Sequence, residues 1–260
     1  MITAFGLGFA DGNIRARLRG EGFSDQELLD AGLICEGEHG YYDRFFHRVI
    51  FPIFSPDSRV IGFGGRVTGD GQPKYVNSRA TCLFDKGRNL YGLSRAKDME
   101  GDGIILCEGY MDVISLQQKG FPAVAPLGTA LTEEQVTLLR RYTDTVYVSF
   151  DGDDAGRKAV MRAVPMLRDS DFRILVPEKE GYGRCKDPDE LLREEGSEQF
   201  RRFLKKSTDG TRYEIHHLDI TDKCDGEDFL FLEDVFRKDP ALLKELPDDD
   251  LRRILKGLCS

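Results

Sequence analysis

Three groups of carboxylates stand out by residue type and spacing. Glu108 lies in Cys107-Glu108-Gly109-Tyr110-Met111-Asp112, a run of acids in Asp151-Gly152-Asp153-Asp154-Ala155-Gly156, and Asp187 with Asp189 in Lys186-Asp187-Pro188-Asp189-Glu190. Carboxylates gathered within about 4–6 Å repel one another unless a cation neutralises them. A donor set made of oxygens, with no Cys or His pattern beside it, favours Mg²⁺ or Mn²⁺ over zinc. One such ion, or a pair roughly 4 Å apart, can clamp the attacking and leaving oxygens of a phosphoryl transfer. The plainer explanation is helix capping, worth roughly 1 kcal/mol per acid. It suffices for Asp154, and it covers Asp189 as the cap of a helix over 190–195. It explains neither Glu108 nor Asp151, so Glu108, Asp151 and Asp153 are read together as metal ligands.

These acids need a frame, and residues 103–176 supply one. Residues 103–107 form a short apolar strand, followed by a helix near 111–119 that stops at Gly120. A second strand covers 123–125, and Thr132-Glu133-Glu134-Gln135 caps a second helix running to Arg141. A third strand covers 145–150, and a helix over 155–167 follows, with a kink expected at Pro165. Residues 172–176 form a fourth strand, ended by Pro177. Short apolar strands alternating with helices imply a parallel sheet covered on both faces. Ligands of such sheets bind beyond the carboxyl ends of the strands. Glu108 directly follows the first strand and Asp151 the third, so neighbouring placement would aim both into one crevice. Gly109 and Gly152 let the chain turn sharply there.

Upstream the pattern differs. Residues 1–40 read as helix and loop, with Ser24 and Glu27 forming a capping box and Gly32 a stop. Residues 48–54 and 60–67 are rich in β-branched and aromatic residues around the turn signal Ser55-Pro56-Asp57-Ser58, which predicts a hairpin. A loop-rich stretch spans 69–90. The expected organisation is a basic N-terminal subdomain over 1–98, a metal-binding α/β domain over 99–180, and a helical segment with an acidic tail over 181–260.

The 260 residues are 40% hydrophobic and 32% charged, ordinary for a globular protein. No apolar run approaches the roughly 18–20 residues of a membrane helix, and the N-terminus lacks a signal-peptide pattern, so a cytoplasmic protein with no membrane partner is expected. Cysteines 35, 82, 107, 185, 224 and 259 and histidines 39, 47, 216 and 217 are too widely or poorly spaced for a zinc knuckle, and no zinc is expected. The net charge of −9 argues against nonspecific nucleic-acid binding by the chain as a whole, yet residues 59–97 carry a net +6. Residues 219–250 carry a net −8, with twelve acids against four bases.

With these residues in view, a family resemblance emerges. Glu108-Gly109-Tyr110-Met111-Asp112, Asp151-Gly152-Asp153-Asp154-Ala155-Gly156 and Lys186-Asp187-Pro188-Asp189-Glu190 resemble the Toprim motifs of bacterial replicative primases of the DnaG type. Arg59-Val60-Ile61-Gly62-Phe63-Gly64-Gly65-Arg66-Val67, Pro73-Lys74-Tyr75-Val76-Asn77-Ser78 and Lys86-Gly87-Arg88-Asn89-Leu90-Tyr91-Gly92 resemble the basic part of the same polymerase domain, as does the stretch from Tyr42 to Phe54. The similarity covers about residues 5–205.

The resemblance implies an α/β fold: a Toprim-type parallel sheet with flanking helices, preceded by a smaller mixed α+β basic subdomain. It implies a nucleotidyltransferase, a primase core that makes short RNA primers on single-stranded DNA from NTPs with one to three Mg²⁺ or Mn²⁺ ions. Glu108, Asp151 and Asp153 would hold metal, with Asp187 and Asp189 completing or approaching a second position and Asp112 in support. Arg66, Lys74, Asn77, Lys86 and Arg88 would line the groove for nucleotide and nucleic-acid backbone. Arg59, Arg79 and Arg95 fit an ordinary solvated basic face. The family's zinc-ribbon and helicase-binding domains have no counterpart here, so the chain reads as a fragment or a truncated primase, and a replicative helicase is a partner of the full-length protein at cytoplasmic replication forks. Two other classes stay open on the residues. A Toprim nuclease or topoisomerase-like module shares the bare acidic pattern, and a receiver-like phosphoacceptor would use strand-end aspartates with a lysine such as Lys186.

Overall fold

The structure, a computed structural model, describes residues 2–178, 183–217 and 226–246. In chain order the strands are β1 (Gly8–Ala10), β2 (Ile34–Gly37), β3 (Gly40–Asp43), β4 (Arg48–Phe54), β5 (Val60–Val67), β6 (Tyr75–Asn77), β7 (Ile104–Leu106), β8 (Ala123–Val124), β9 (Thr145–Val148), β10 (Arg173–Val176) and β11 (Thr208–Asp209). The helices are α1 (Ile2–Phe5), α2 (Ile14–Gly20), α3 (Asp25–Asp30), α4 (Leu93–Ala96), α5 (Tyr110–Gln118), α6 (Glu133–Leu139), α7 (Asp154–Arg168), α8 (Pro188–Lys205), α9 (Gly210–His217) and α10 (Gly226–Lys238), with 3-10 turns at Lys86–Arg88 and Pro240–Glu245.

The first hundred residues build a four-stranded sheet in the order β1-β4-β5-β6 and a small hairpin of β2 and β3. The expected hairpin forms, with Ile50 opposite Gly65 and Phe51 opposite Gly64. The capping box at Ser24 and Glu27 also forms, with the Glu27 amide donating to Ser24 Oγ at 3.2 Å. Gly64 has a packing reason. A Cβ there would stand 2.5 Å from the Tyr110 hydroxyl, so only glycine lets α5 approach this sheet.

The second sheet runs β11-β10-β9-β7-β8, parallel except for β11. The near-continuous apolar sequence of its strands follows from burial on both faces. Ile105 of β7 joins Val113 and Ile114 of α5, Leu191, Leu192 and Phe200 of α8, and Phe51 and Ile53 of the N-terminal sheet. Ile104 and Leu106 face the other way, onto Val136 and Leu139 of α6 and Val160, Val164 and Leu167 of α7. Helix α7 continues through Pro165 to Arg168.

Residues 183–217, the first described part of the segment expected from 181, pack on this same sheet. Helix α8 packs on α5, β11 extends the sheet, and α9 packs on α7 and β10. A two-residue antiparallel edge strand leaves no periodic signal in sequence. Helix α10 and the turn after it close a small core of Ile215, Leu232, Val235, Phe236, Leu242 and Leu246. The Arg168 guanidinium lies 4.5 Å from the Phe231 ring and pairs with Glu214, tying this core to α7. Residues 219–225 and 247–250 of the acidic stretch, residues 218–225 of 218–236, and Cys224 and Cys259 lie outside the described residues. Among the described residues, no helix is long and apolar enough to cross a membrane.

Candidate active site

Register explains how the acids meet. Leu106 pairs with Val148 across β7 and β9, and the ladder continues one bond further, from the Ser149 amide to the Leu106 carbonyl at 2.9 Å. Glu108 and Asp151 therefore leave adjacent strands at the same rim. The Asp151 amide donates to Glu108 Oε1 at 3.1 Å. The helix after β7 covers one face of the sheet and the helix after β9 the other, so the acids sit where the winding reverses.

Asp153 is the N-cap of α7, its Oδ1 accepting the Gly156 amide at 2.8 Å. This leaves Oδ2 for another partner. Gly156 is required by close approach: a Cβ there would lie 2.0 Å from the Asp151 carbonyl oxygen. The motif thus spends its second glycine on folding the acidic loop back against its own helix. Asp154 is exposed and pairs with Arg157 at 3.5 Å.

The third acidic group reaches the same rim from β10. The Gly152 amide donates to the Lys186 carbonyl at 2.7 Å, binding the two loops together. Asp187 caps α8, its Oδ1 accepting the Glu190 amide at 2.7 Å. Asp189 accepts a hydrogen bond from the Ser115 hydroxyl of α5. Asp112, one turn into α5, is 8% exposed and accepts the Gly109 amide at 3.1 Å.

The electrostatics fit a site that calls for a cation. Burial, reinforced by the charges of Asp187 and Asp151, pushes the Asp112 carboxyl up to about 7. Burial, then Glu108, Asp187 and Asp153, pushes Asp151 up to about 6, with Lys186 opposing. Glu108 is raised as well, by partial burial of its carboxyl and the charge of Asp153, although the residue as a whole is exposed. Cys107 lies behind them, fully buried, its thiol raised by that burial and donating to the Val124 carbonyl at 3.4 Å. All donors facing the rim are oxygens, which suits Mg²⁺ or Mn²⁺. Among the described residues no three His, Cys, Asp or Glu side chains already converge as a ligand set. A cleft of about 480 Å³ opens beside Glu108, between residues 126–131 and the α7 face bearing Ala155, Ala159 and Arg162.

The basic residues divide by what already holds them. Lys74, Lys86 and Arg88 are exposed, and among the described residues none forms an ion pair. The Arg66 guanidinium lies 5.7 Å from the Tyr75 ring. Asn77 is engaged at both ends: Oδ1 accepts the Tyr110 hydroxyl at 2.6 Å and Nδ2 donates to the Leu127 carbonyl at 2.7 Å. Its amide joins β6 to α5 and to the segment that follows β8. Arg59 pairs with Asp57, Arg79 donates to the Leu29 carbonyl, and Arg95 lies over Phe5.

Sequence reasoning missed several residues that position this site. Arg48 is buried and donates to the carbonyls of Pro73, Gly65 and Lys74 at 3.0, 3.3 and 3.4 Å, fixing the loop that presents Lys74. Tyr110 stacks on Phe51 and Tyr75 and meets Tyr91 edge-on, with centroids 5.1, 5.7 and 4.5 Å away. Thr132 and Gln135 were legible only as a cap; they also grip the Lys86–Arg88 turn.

Comparison with known proteins identifies both halves of the chain. Residues 1–97 match the model of the DNA primase catalytic core, N-terminal domain, and residues 105–192 a Toprim-like model. The chain is 46% identical over 221 residues to a DNA primase of Clostridium acetobutylicum, covering 83% of this chain and 36% of that protein. It is 41% identical over 268 residues to the Pseudomonas aeruginosa DNA primase, covering 97% and 39%. It therefore spans little more than a third of these relatives' length. Among solved structures it is similar to the Escherichia coli primase catalytic core, with a TM-score of 0.77, 36% identity, and coverage of 98% of this chain and 82% of that one. It is equally similar to a DnaG primase catalytic domain bound to single-stranded DNA, with a TM-score of 0.77, 35% identity, and coverage of 98% and 81%.

Proposed function

The chain belongs to the DnaG-type DNA primase catalytic-core family, and from that premise we propose that it joins ribonucleotides into short RNA primers on a single-stranded DNA template. The carrying observation is that Glu108 and Asp151 leave adjacent strands at one rim, their carboxyls raised by burial and neighbouring charge, with Asp153 capping the helix that follows and Lys86 and Arg88 left exposed. Glu108, Asp151 and Asp153 would hold Mg²⁺ or Mn²⁺, with Asp187 and Asp189 toward a second position, and a bound ion would supply positive charge for phosphoryl transfer.

The chain's own residues do the rest. Asp153 and Asp187 use one oxygen each to cap a helix, which fixes their backbone positions; the second oxygen of Asp187 lies 3.9 Å from Lys186 Nζ. Lys74, Lys86 and Arg88 meet triphosphate or backbone phosphate, and fixed cations there favour a polyanion approaching a carboxylate cluster. Catalysis is then a matter of positioning and charge, with no covalent enzyme intermediate.

Asp151→Asn tests the proposal directly. Primer synthesis from labelled NTPs on single-stranded DNA is expected to vanish at every Mg²⁺ or Mn²⁺ concentration, and undiminished synthesis would refute the assignment. End-labelled DNA in the same reaction separates polymerisation from strand cleavage, because shortened products would favour a Toprim nuclease.

A further inference from the structure

The turn that carries Lys86 and Arg88 is too short to hold itself. It is a three-residue 3-10 turn whose internal support comes from Asp85, which accepts the Gly87 amide at 2.8 Å and the Arg88 amide at 3.1 Å. A single such turn is marginal in water. What fixes it comes from the start of α6. The Gln135 side-chain nitrogen donates to the Lys86 carbonyl at 2.9 Å and the Asn89 carbonyl at 2.8 Å. Its side-chain oxygen accepts the Thr132 amide at 3.2 Å. The Thr132 hydroxyl donates to the Gly87 carbonyl at 2.5 Å and accepts the Gln135 amide at 3.2 Å.

Gln135 is 0% exposed, and both of its amide protons are used on the turn. The carbonyls of residues 86, 87 and 89 are all taken by α6, while the Lys86 and Arg88 side chains stay exposed. Helix α6 follows β8, and β8 lies beside β7, so the clamped turn stands on the rim that bears Glu108. A helix-capping device would need none of the three bonds that cross to the turn.

We infer that Gln135 is a positioning residue for nucleic-acid phosphate: with Thr132 it holds the 86–89 backbone so that Lys86 and Arg88 are ordered before the strand arrives. The inference rests on the primase reading above. Ordering a free turn on binding would reduce affinity, and a fixed one avoids that loss.

The test is binding of a fluorescently labelled single-stranded DNA oligonucleotide, followed by anisotropy across a salt series. Four proteins are compared: the wild-type chain, Gln135→Met, the double variant Lys86→Ala/Arg88→Ala, and the triple variant. Gln135→Met is expected to weaken binding about five- to tenfold and to flatten the dependence of log K on log salt by about one. In the Lys86→Ala/Arg88→Ala background the same change is expected to cost less than about twofold, because its effect passes through the missing cations. Gln135→Glu, which keeps the acceptor for Thr132 and replaces both donors, is expected to behave as Gln135→Met does and guards against misfolding of one variant. Equal losses in both backgrounds, or unchanged affinity and slope in Gln135→Met and Gln135→Glu, would overturn the inference and leave the primase reading standing. A wild-type chain that binds no oligonucleotide would overturn both.

Discussion

Replacing Asp112 by asparagine should stabilise the metal-free protein at neutral and alkaline pH. Asp112 is 8% exposed, and burial with the charges of Asp187 and Asp151 raises it from 3.8 to about 7. Because the folded value exceeds the unfolded one, the native state holds this proton longer, and the group's contribution to stability falls as pH rises from about 4 to about 7. Above that window the charged, folded carboxylate costs roughly 4 kcal/mol, of which roughly 3 kcal/mol is lost between pH 5 and pH 8. Asp151, raised to about 6, adds to the same slope. An asparagine oxygen can still accept the Gly109 amide, so the substitution removes the charge and keeps the hydrogen bond. Thermal unfolding in EDTA by circular dichroism should show Asp112→Asn melting well above wild type at pH 8, by about 5–15 °C, with a much smaller gain at pH 5. Added Mg²⁺ should close part of the gap by raising the wild-type curve. If Asp112→Asn melts no higher than wild type at pH 8, or keeps the wild-type dependence on pH, the electrostatic account of this site is wrong.

Two other perturbations probe the geometry. Gly156→Ala would gain about 1 kcal/mol of helix propensity, but its Cβ would lie 2.0 Å from the Asp151 carbonyl oxygen. The clash should dominate, with a net loss of about 1–3 kcal/mol in denaturant unfolding and more than a tenfold drop in primer synthesis; a more stable and active variant would contradict the loop geometry. Ser115→Ala removes the hydroxyl that holds Asp189 against α5. It should raise the Mg²⁺ concentration for half-maximal synthesis about tenfold or more, corresponding to about 1.5–3 kcal/mol for a hydrogen bond to a charged group, and leave oligonucleotide affinity unchanged. An unaltered Mg²⁺ requirement would remove Ser115 from the site.

The sheet and its acids were legible because the signals are local. Strands such as Ile104–Leu106 are short apolar runs, and an acid that follows one directly has a defined place in a parallel sheet. The capping reading and the ligand reading of Asp153 turned out compatible, since one oxygen suffices for the cap. Positions settled by tertiary contact left no such trace. Asn77 sits in a basic motif and looks like a groove residue, yet its amide is committed to Tyr110 and Leu127. Arg48 resembles any other arginine until its three carbonyl partners are seen. Thr132 and Gln135 spell a capping box correctly, and nothing in that spelling reveals a second set of bonds to residues more than forty positions upstream.

The ring cluster around Tyr110 also bears on how the chain can be handled as material. Phe51 and Tyr75 come from one sheet, Tyr91 from the connection, and Tyr110 opens the helix behind Glu108. The interval between the two family matches, residues 97 to 105, therefore has no matching gap in the packing. Expressing residues 99–217 alone would strip Tyr110 of its stacking partners and leave a broad apolar wound in place of a clean surface. The interlocked rings hold the two halves as one body, and neither presents a finished surface without the other.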